Sequence, residues 1–546
     1  MKKQFIAALA LLCCAFSAQV HSETARPKLV VGIVIDQMRW DYLYRFSSRF
    51  GEGGFKRLMK EGFSCDNTQL NYIPTVTAIG HSSIYTGAVP SVHGIAGNDF
   101  YKDGEKTYCT DDNTVTGVGS ESKAGKMSPR NLLVTTIGDE LKLATNFRSK
   151  VIGVSLKDRA SILPAGHTSN AAYWFDDETG RFITSTYYMK SLPEWVNDFN
   201  RKDVGRQLLM QDWNTLYPIE TYTASTEDNT PFEKSLVRGE APVLPLKTSE
   251  IFRKSGYGII RTTPYGNTLT FSMAKAALEG EKMGRNGSTD LLTVSLSSTD
   301  YIGHQFGTYA VETEDTYLRL DKDLADFLQT LDNTVGKGNY LVFLTADHAA
   351  AHNFTFMKAH QIPAEGWVVP DTYKALNDHL QATFKSSRPL VKDLLNYQVF
   401  FDRQAVKDEG LEWQTVKKVA LDFLKQNPLF AYVVDMEELN TATLPEPIRC
   451  RAINGYNRFR SGDIQLIMQP GSYEITSASE TGGTEHGVWN PYDAHIPLIF
   501  MGWGIKSGKS TMLPVNMTDI APTVCALLHI QMPNGCVGNA IPAIVE

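Results

Sequence analysis

Four acidic or imidazole-bearing stretches have the types and spacing that metal chemistry needs. Asp36 closes the apolar run Lys28-Leu29-Val30-Val31-Gly32-Ile33-Val34-Ile35. Asp300 and His304 stand four apart, so a helical turn puts both on one face. Asp347 and His348 are adjacent after another apolar run, and His486 lies in the glycine-rich stretch Gly482-Gly483-Thr484-Glu485-His486-Gly487. Carboxylate oxygen and neutral imidazole nitrogen are zinc ligands, and open catalytic sites commonly use three per ion. Each residue alone has a plainer reading. An Asp after a strand caps the next helix, and a single Asp-x-x-x-His is commonly a surface pair. The weight lies in the set.

Thr77, in Ile73-Pro74-Thr75-Val76-Thr77-Ala78-Ile79-Gly80-His81, is the candidate nucleophile. The local pattern puts it at a helix N-terminus, where free backbone N–H groups and the helix dipole favour an anion. A threonine hydroxyl attacks poorly unless a metal or base activates it. Without the metal set, Thr77 reads as a helix cap.

These residues need strands to position them. The β-branched runs at 29–35, 151–155, 291–296 and 340–345 have the composition of strands buried on both faces, and 495–500 reads as a late strand. Helical patterns lie between them, for example over residues 268–278 and 315–331. This alternation predicts an α/β layered fold, a mostly parallel central sheet flanked by helices. Ligands bind such sheets at the carboxyl ends of the strands, where Asp36, Asp300 and Asp347 fall. Residues of about 160–260 and 355–480 break the alternation and read as insertions walling the site.

Composition sets wider bounds. A chain of 546 residues with net charge -7 can bury a large core, and it lacks the overall basic balance of a general nucleic-acid binder. Lys2 and Lys3 precede an apolar run over residues 5–16, and Val20 and Ser22 suit a signal-peptidase cut. Residues 1–22 therefore read as a cleaved leader and 23–546 as one catalytic domain, periplasmic or secreted; a retained anchor is the alternative. No later apolar stretch is long enough to span a bilayer. Of the five remaining cysteines, Cys525 with Cys536 is the natural bridge and Cys65 with Cys109 a second, leaving Cys450 odd. No Cys-x-x-Cys occurs in the mature chain, so Asp and His must hold any metal.

The ordered set Asp36, Thr77, Asp300-x-x-x-His304, Asp347-His348 and His486 resembles the alkaline phosphatase superfamily, and within it the phosphate-irrepressible alkaline phosphatases that use threonine. The resemblance runs from about Pro27 to the C-terminus and includes Ser91-Val92-His93-Gly94-Ile95-Ala96-Gly97-Asn98-Asp99 and Ser155-Leu156-Lys157-Asp158-Arg159. It implies a first zinc on Asp300, His304 and His486, and a second on Asp36, Asp347, His348 and the Thr77 oxygen, with no magnesium site. Asn98, Lys157 and Arg159 would then contact the phosphoryl oxygens.

Phosphoryl transfer needs in-line positioning and charge neutralisation, which such a cluster supplies. A monoester dianion offers three charged oxygens and a diester one fewer, so Lys157 and Arg159 favour monoesters, most simply in a monomeric enzyme. A nucleotide pyrophosphatase-type phosphodiesterase is the nearest rival. A sulfatase is disfavoured by the lack of Cys-x-Pro-x-Arg or Ser-x-Pro-x-Arg at the nucleophile. His81, His93 and His167 read as loop-ordering, His352 as a competitor of His348, and Asp519 as a helix-start carboxylate.

Overall fold

The structure, a computed structural model, describes residues 25–546; the expected leader over residues 1–22 lies outside the described residues. One ten-stranded sheet dominates. In chain order its strands are β1 (Leu29–Ile35), β2 (Gly62–Cys65), β3 (Gly117–Val118), β4 (Val151–Ser155), β5 (Ala171–Asp176), β6 (Arg181–Ser185), β7 (Asp290–Leu296), β8 (Tyr340–Thr345), β9 (Leu498–Gly502) and β10 (Lys509–Thr511). Their spatial order is β10-β2-β9-β8-β1-β7-β4-β5-β6-β3.

The centre, β8-β1-β7-β4-β5, is parallel. Both edges turn antiparallel: β9 against β8 and β2 on one side, β6 against β5 and β3 on the other. Every residue of β1, β7 and β8 is buried, as expected for strands covered by helices on both faces. Each large apolar side chain so buried contributes roughly 1.5–3 kcal/mol, which fixes the sheet before any polar group is placed.

Register then aligns the chemistry. Ile35 pairs with Leu296, Val34 with Thr345, and Ser295 with Ser155. The residues that follow these strands therefore leave the sheet at one level and one edge. Three helices start there: α1 (Thr77–Thr86), α2 (Asp158–Ala165) and α3 (Ser298–Phe306).

The two irregular regions behave differently. Within 160–260, residues 171–185 form β5 and β6 of the central sheet; their aromatic content is strand propensity, and the intervening Asp177-Glu178-Thr179-Gly180 is a turn. Beyond Ser185 the chain runs through short helices and long irregular segments. The later region builds a separate four-stranded antiparallel sheet from Val391–Leu395, Gln398–Phe401, Ile464–Met468 and Phe430–Asp435. Helices Val369–Phe384 and Trp413–Leu424 share its own apolar core, with Leu376, Leu380, Val399, Val416 and Leu466 fully buried. This cap leans on the site: Asn396 Nδ2 donates to Asp99 O at 2.8 Å and Tyr397 Oη to His486 O at 3.3 Å.

All five cysteines outside the leader are thiols. The bridges expected between Cys525 and Cys536 and between Cys65 and Cys109 are not formed. Cys65 ends β2, whereas Cys109 is paired through its N–H to Asn98 O at 2.8 Å. Cys536 Sγ is directed to Gly538 O at 3.7 Å, against the close-packed Gly87.

Candidate active site

The strand ends bring two ligand groups together. Asp36, Asp347 and His348 form one, and Asp300, His304 and His486 the other; within each group the ligand atoms lie within 4.8 Å of one another. The groups touch. The His348 and His486 rings stack with centroids 3.6 Å apart, and Lys157 Nζ lies 2.7 Å from both Asp36 Oδ2 and Asp300 Oδ2.

The histidines are wired for coordination. Nδ1 of His348 meets Ala349 O at 2.9 Å, that of His486 meets Thr75 O at 2.7 Å, and that of His304 meets Thr484 O at 2.9 Å. A backbone carbonyl accepts only from N–H, so each ring carries a proton on Nδ1 and points Nε2 inward; against the burial penalty, Glu485 and Asp300 hold the His304 ring well above the usual histidine range. Burial pushes the His348 and His486 imidazoles below the usual histidine range, toward the neutral form that ligation requires.

The carboxylates are held as tightly. Burial, then Asp300 and Asp347, push Asp36 well above the usual range. Lys157 is driven the other way: against the burial penalty, Asp300 and Asp36 hold its ammonium above the usual lysine range. Asp36 Oδ1 and Asp347 Oδ2 are buried with no hydrogen-bond partner among the described residues. Such orphaned oxygens are costly, and together with three inward Nε2 atoms they fit a pair of divalent metal ions.

Thr77 is the first residue of α1 and is buried, with Oγ1 3.5 Å from His348 Nε2. It stands at the N-terminal turn of α1, where Ala78 N–H donates to Asn98 Oδ1 at 3.0 Å. That bond fixes the Asn98 amide and leaves its NH2 group to donate. α1 can lie this close because Gly80 has no side chain: a Cβ there would stand 2.3 Å from Asp347 O. Arg159, the second residue of α2, gives Nη1 to Tyr108 Oη at 2.9 Å, and its Nε has no partner among the described residues.

Of the sequence-predicted residues, the structure brings together Asp36, Thr77, Lys157, Asp300, His304, Asp347, His348 and His486, while Asn98 is held on Ala78 N–H and Arg159 on Tyr108. His352 does not join them; it bonds Thr308 Oγ1 and Arg39 Nη2 and stacks on Tyr309. His81 links Thr77 O to Ser295 Oγ, and Asp519 accepts from Asn516 and Asn539 N–H.

Sequence reasoning missed three side chains. Gln37, at φ 64°, donates Nε2 to Asp300 Oδ1 at 2.8 Å while its N–H reaches Asp347 Oδ1 at 3.2 Å. It fits only because Gly303 lacks a Cβ, which would stand 1.8 Å from Gln37 Oε1. Glu485 Oε1 lies 3.1 Å from His304 Nδ1. Tyr108 holds Arg159. A carboxylate directly before a ligand histidine was a visible signal for Glu485; nothing local marks Gln37 or Tyr108.

Comparison with known proteins agrees with this arrangement. Residues 30–493 match the family model described as type I phosphodiesterase / nucleotide pyrophosphatase. Alkaline phosphatase PafA of Elizabethkingia meningoseptica is 54% identical over 100% of this chain and 99% of its own. Alkaline phosphatase PhoV of Synechococcus elongatus is 51% identical, covering 96% and 94%. A protein of Myroides odoratus named calcium-transporting ATPase is 52% identical, covering 98% of each. The crystal structure of wild-type PafA superposes with TM-score 0.93, covering 96% of this chain and 100% of that one. The chain belongs to the type I phosphodiesterase / nucleotide pyrophosphatase family, within the alkaline phosphatase superfamily.

Proposed function

We propose that this protein is an alkaline phosphatase that hydrolyses phosphate monoesters through a phosphothreonine at Thr77, as an exported enzyme with two zinc ions. The observation that carries the reading is the convergence of a helix-terminal threonine with two three-residue metal groups and the Asn98, Lys157 and Arg159 donors. The similarity to PafA and PhoV, both named alkaline phosphatases, supports it. Among the described residues no helix is long and apolar enough to cross a membrane.

Asp300, His304 and His486 would hold one ion, and Asp36, Asp347 and His348 the other, beside Thr77. When bound, the ions supply Lewis acidity and the positive charge that phosphoryl transfer consumes. The chain's own groups do the rest. Thr77 Oγ1 is presented at the end of α1, where the dipole favours the developing anion. Asn98, fixed through Ala78 N–H, turns its amide donors toward a phosphoryl oxygen. Arg159 offers a planar fork for two oxygens, and Lys157 a point charge on a flexible stem, already seated between the two metal groups. Thr77 gives its proton to solvent as Oγ1 attacks phosphorus. The ester oxygen leaves with the bonding pair and is protonated from solvent, and water then cleaves the phosphothreonine to release phosphate. The cationic pair gains most from a dianion with three free oxygens, so monoesters are preferred over diesters.

Acid quenching of zinc-loaded protein during turnover of an aryl phosphate, followed by peptide mapping, tests this directly. The expected result is phosphate on Thr77, with T77A keeping its metal and losing turnover. Phosphate on another residue, or full turnover by folded T77A, overturns it.

A further inference from the structure

Arg159 is an unusual guanidinium. It is partly buried, with its Nε shut off from solvent, it carries the charge that the proposed monoester selectivity needs, and among the described residues its one hydrogen bond goes to a neutral phenol. No carboxylate among the described residues grips it. The phenol is Tyr108, whose own hydroxyl donates to Asp158 Oδ1 at 2.7 Å. The other oxygen of Asp158, Oδ2, accepts from Thr110 Oγ1 at 3.0 Å. Asp158 is the first residue of α2, so the helix dipole holds its charge in place. Burial, with Asp158 adding to it, keeps the Tyr108 phenol well above the usual tyrosine range, so it remains an O–H donor although Arg159 pulls the other way.

Tyr108 is also tied to the second phosphoryl-binding group. Strands Asp99–Lys102 and Glu105–Tyr108 form a hairpin in which Asp99 pairs with Tyr108. The ladder is closed by Cys109 N–H donating to Asn98 O at 2.8 Å. Asn98 therefore enters the base of the hairpin and Tyr108 leaves it, side by side. One bracket sets the spacing between the Asn98 amide and the Arg159 guanidinium.

We infer that Tyr108 is a positioning residue for Arg159: anchored on Asp158 and registered with Asn98, it aims the guanidinium at the phosphoryl group and so sets the preference for monoesters over diesters. The inference rests on the proposed role of Arg159. A neutral anchor suits that role. A carboxylate bonded directly to Arg159 would neutralise the charge meant for substrate, whereas the phenol fixes direction and leaves the charge available. The carboxylate is kept one hydrogen bond further away.

The test is a double-mutant cycle on zinc-loaded enzyme: wild type, Y108F, R159A and Y108F/R159A, each assayed on an aryl phosphate monoester and the matching alkyl aryl diester. Y108F keeps the ring and removes only the hydroxyl. Its expected effect is a loss of about 10- to 100-fold in monoester kcat/KM, the usual worth of a hydrogen bond to a charged group. Diester kcat/KM should stay within about 2-fold, because that hydrogen bond serves only an interaction the diester uses weakly. In the R159A background, Y108F should cost nothing further. The diester rate and metal content report folding. If Y108F does not fold, Asp158→Asn, which leaves the phenol in place but weakens its anchor, carries the same prediction. Equal Y108F losses on both esters, or a full Y108F loss persisting without Arg159, overturn the inference while leaving the role of Arg159 standing. Equal losses of both esters in R159A alone overturn the proposed charge selectivity and this inference together.

Discussion

The two metal-ligand groups differ in how they are built. Asp36, Asp347 and His348 leave β1 and β8 directly, and their side chains are 0% exposed. Asp300, His304 and His486 come from a helix and a loop, and His304 is 28% exposed. The loop carrying His486 rests on foreign segments: Gly483 N–H donates to Phe232 O at 2.7 Å, and Tyr397 of the cap donates to His486 O. The inner group is a property of the sheet. The outer group is an assembly of sheet, insertion and cap, open to solvent at His304. A displacement at phosphorus wants that asymmetry: a rigid end for the attacking oxygen and an accessible end for the departing group and for water.

The sharpest way to break this comparison is substitution within each group. Asp347→Asn should lose activity by more than the roughly 10- to 100-fold typical of removing an outer partner, with no recovery at raised zinc. His304→Gln should lose less and recover in part with added zinc, because an exposed position can be filled from solution. Equal, unrecovered losses would show that the groups are equivalent. A chelator should separate them in time. One metal equivalent should leave quickly and one slowly, followed by metal analysis beside activity; simultaneous loss would contradict the asymmetry.

Glu485→Gln acts on the outer group alone. It weakens the partner of His304 Nδ1 and should cost about 10- to 100-fold in affinity for one metal equivalent, read by titration, with the other unchanged. Loss of both equivalents would mean Glu485 serves the whole site.

The smallest effect concerns the support beneath the outer loop. Glu233 lies under Gly482, and burial pushes its carboxyl up to about 8, with Thr230 opposing and Asp228 adding to the rise. A folded pKa above the unfolded one favours the fold while the group is protonated. That contribution is complete below about 4.5 and is lost as pH rises through about 8. Glu233→Gln should therefore raise Tm at pH 9 relative to wild type and change it little at pH 5. The same Tm difference at both values would remove Glu233 from the account.

The same asymmetry explains what could be read from the chain. Asp36 and Asp347 were legible because a fully buried parallel strand announces itself as an unbroken apolar run, and its next residue must emerge at the sheet edge. Asp300 and His304 were legible from helical spacing. His348 and His352 could not be told apart by spacing; three-dimensional packing decides, since His352 is taken up by Thr308, Arg39 and Tyr309. Gln37 was invisible because its role depends on a positive φ that a glutamine does not advertise. Tyr108 was invisible because its partners lie some 50 residues away on another element. The aromatic strands β5 and β6 were merged with an insertion because they lack alternation, being buried on both faces.

The central claim is that Lys157 and Arg159 make this metal frame a monoesterase. The most direct measurement is kcat/KM for an aryl phosphate monoester against its matched diester, in zinc-loaded wild type and in K157A/R159A. The account predicts a monoester preference that shrinks by about 100-fold or more in the double variant, through loss of monoester turnover, as two charge-assisted contacts would require. A diester preference in the wild type, or a ratio unchanged by the double substitution, would contradict it.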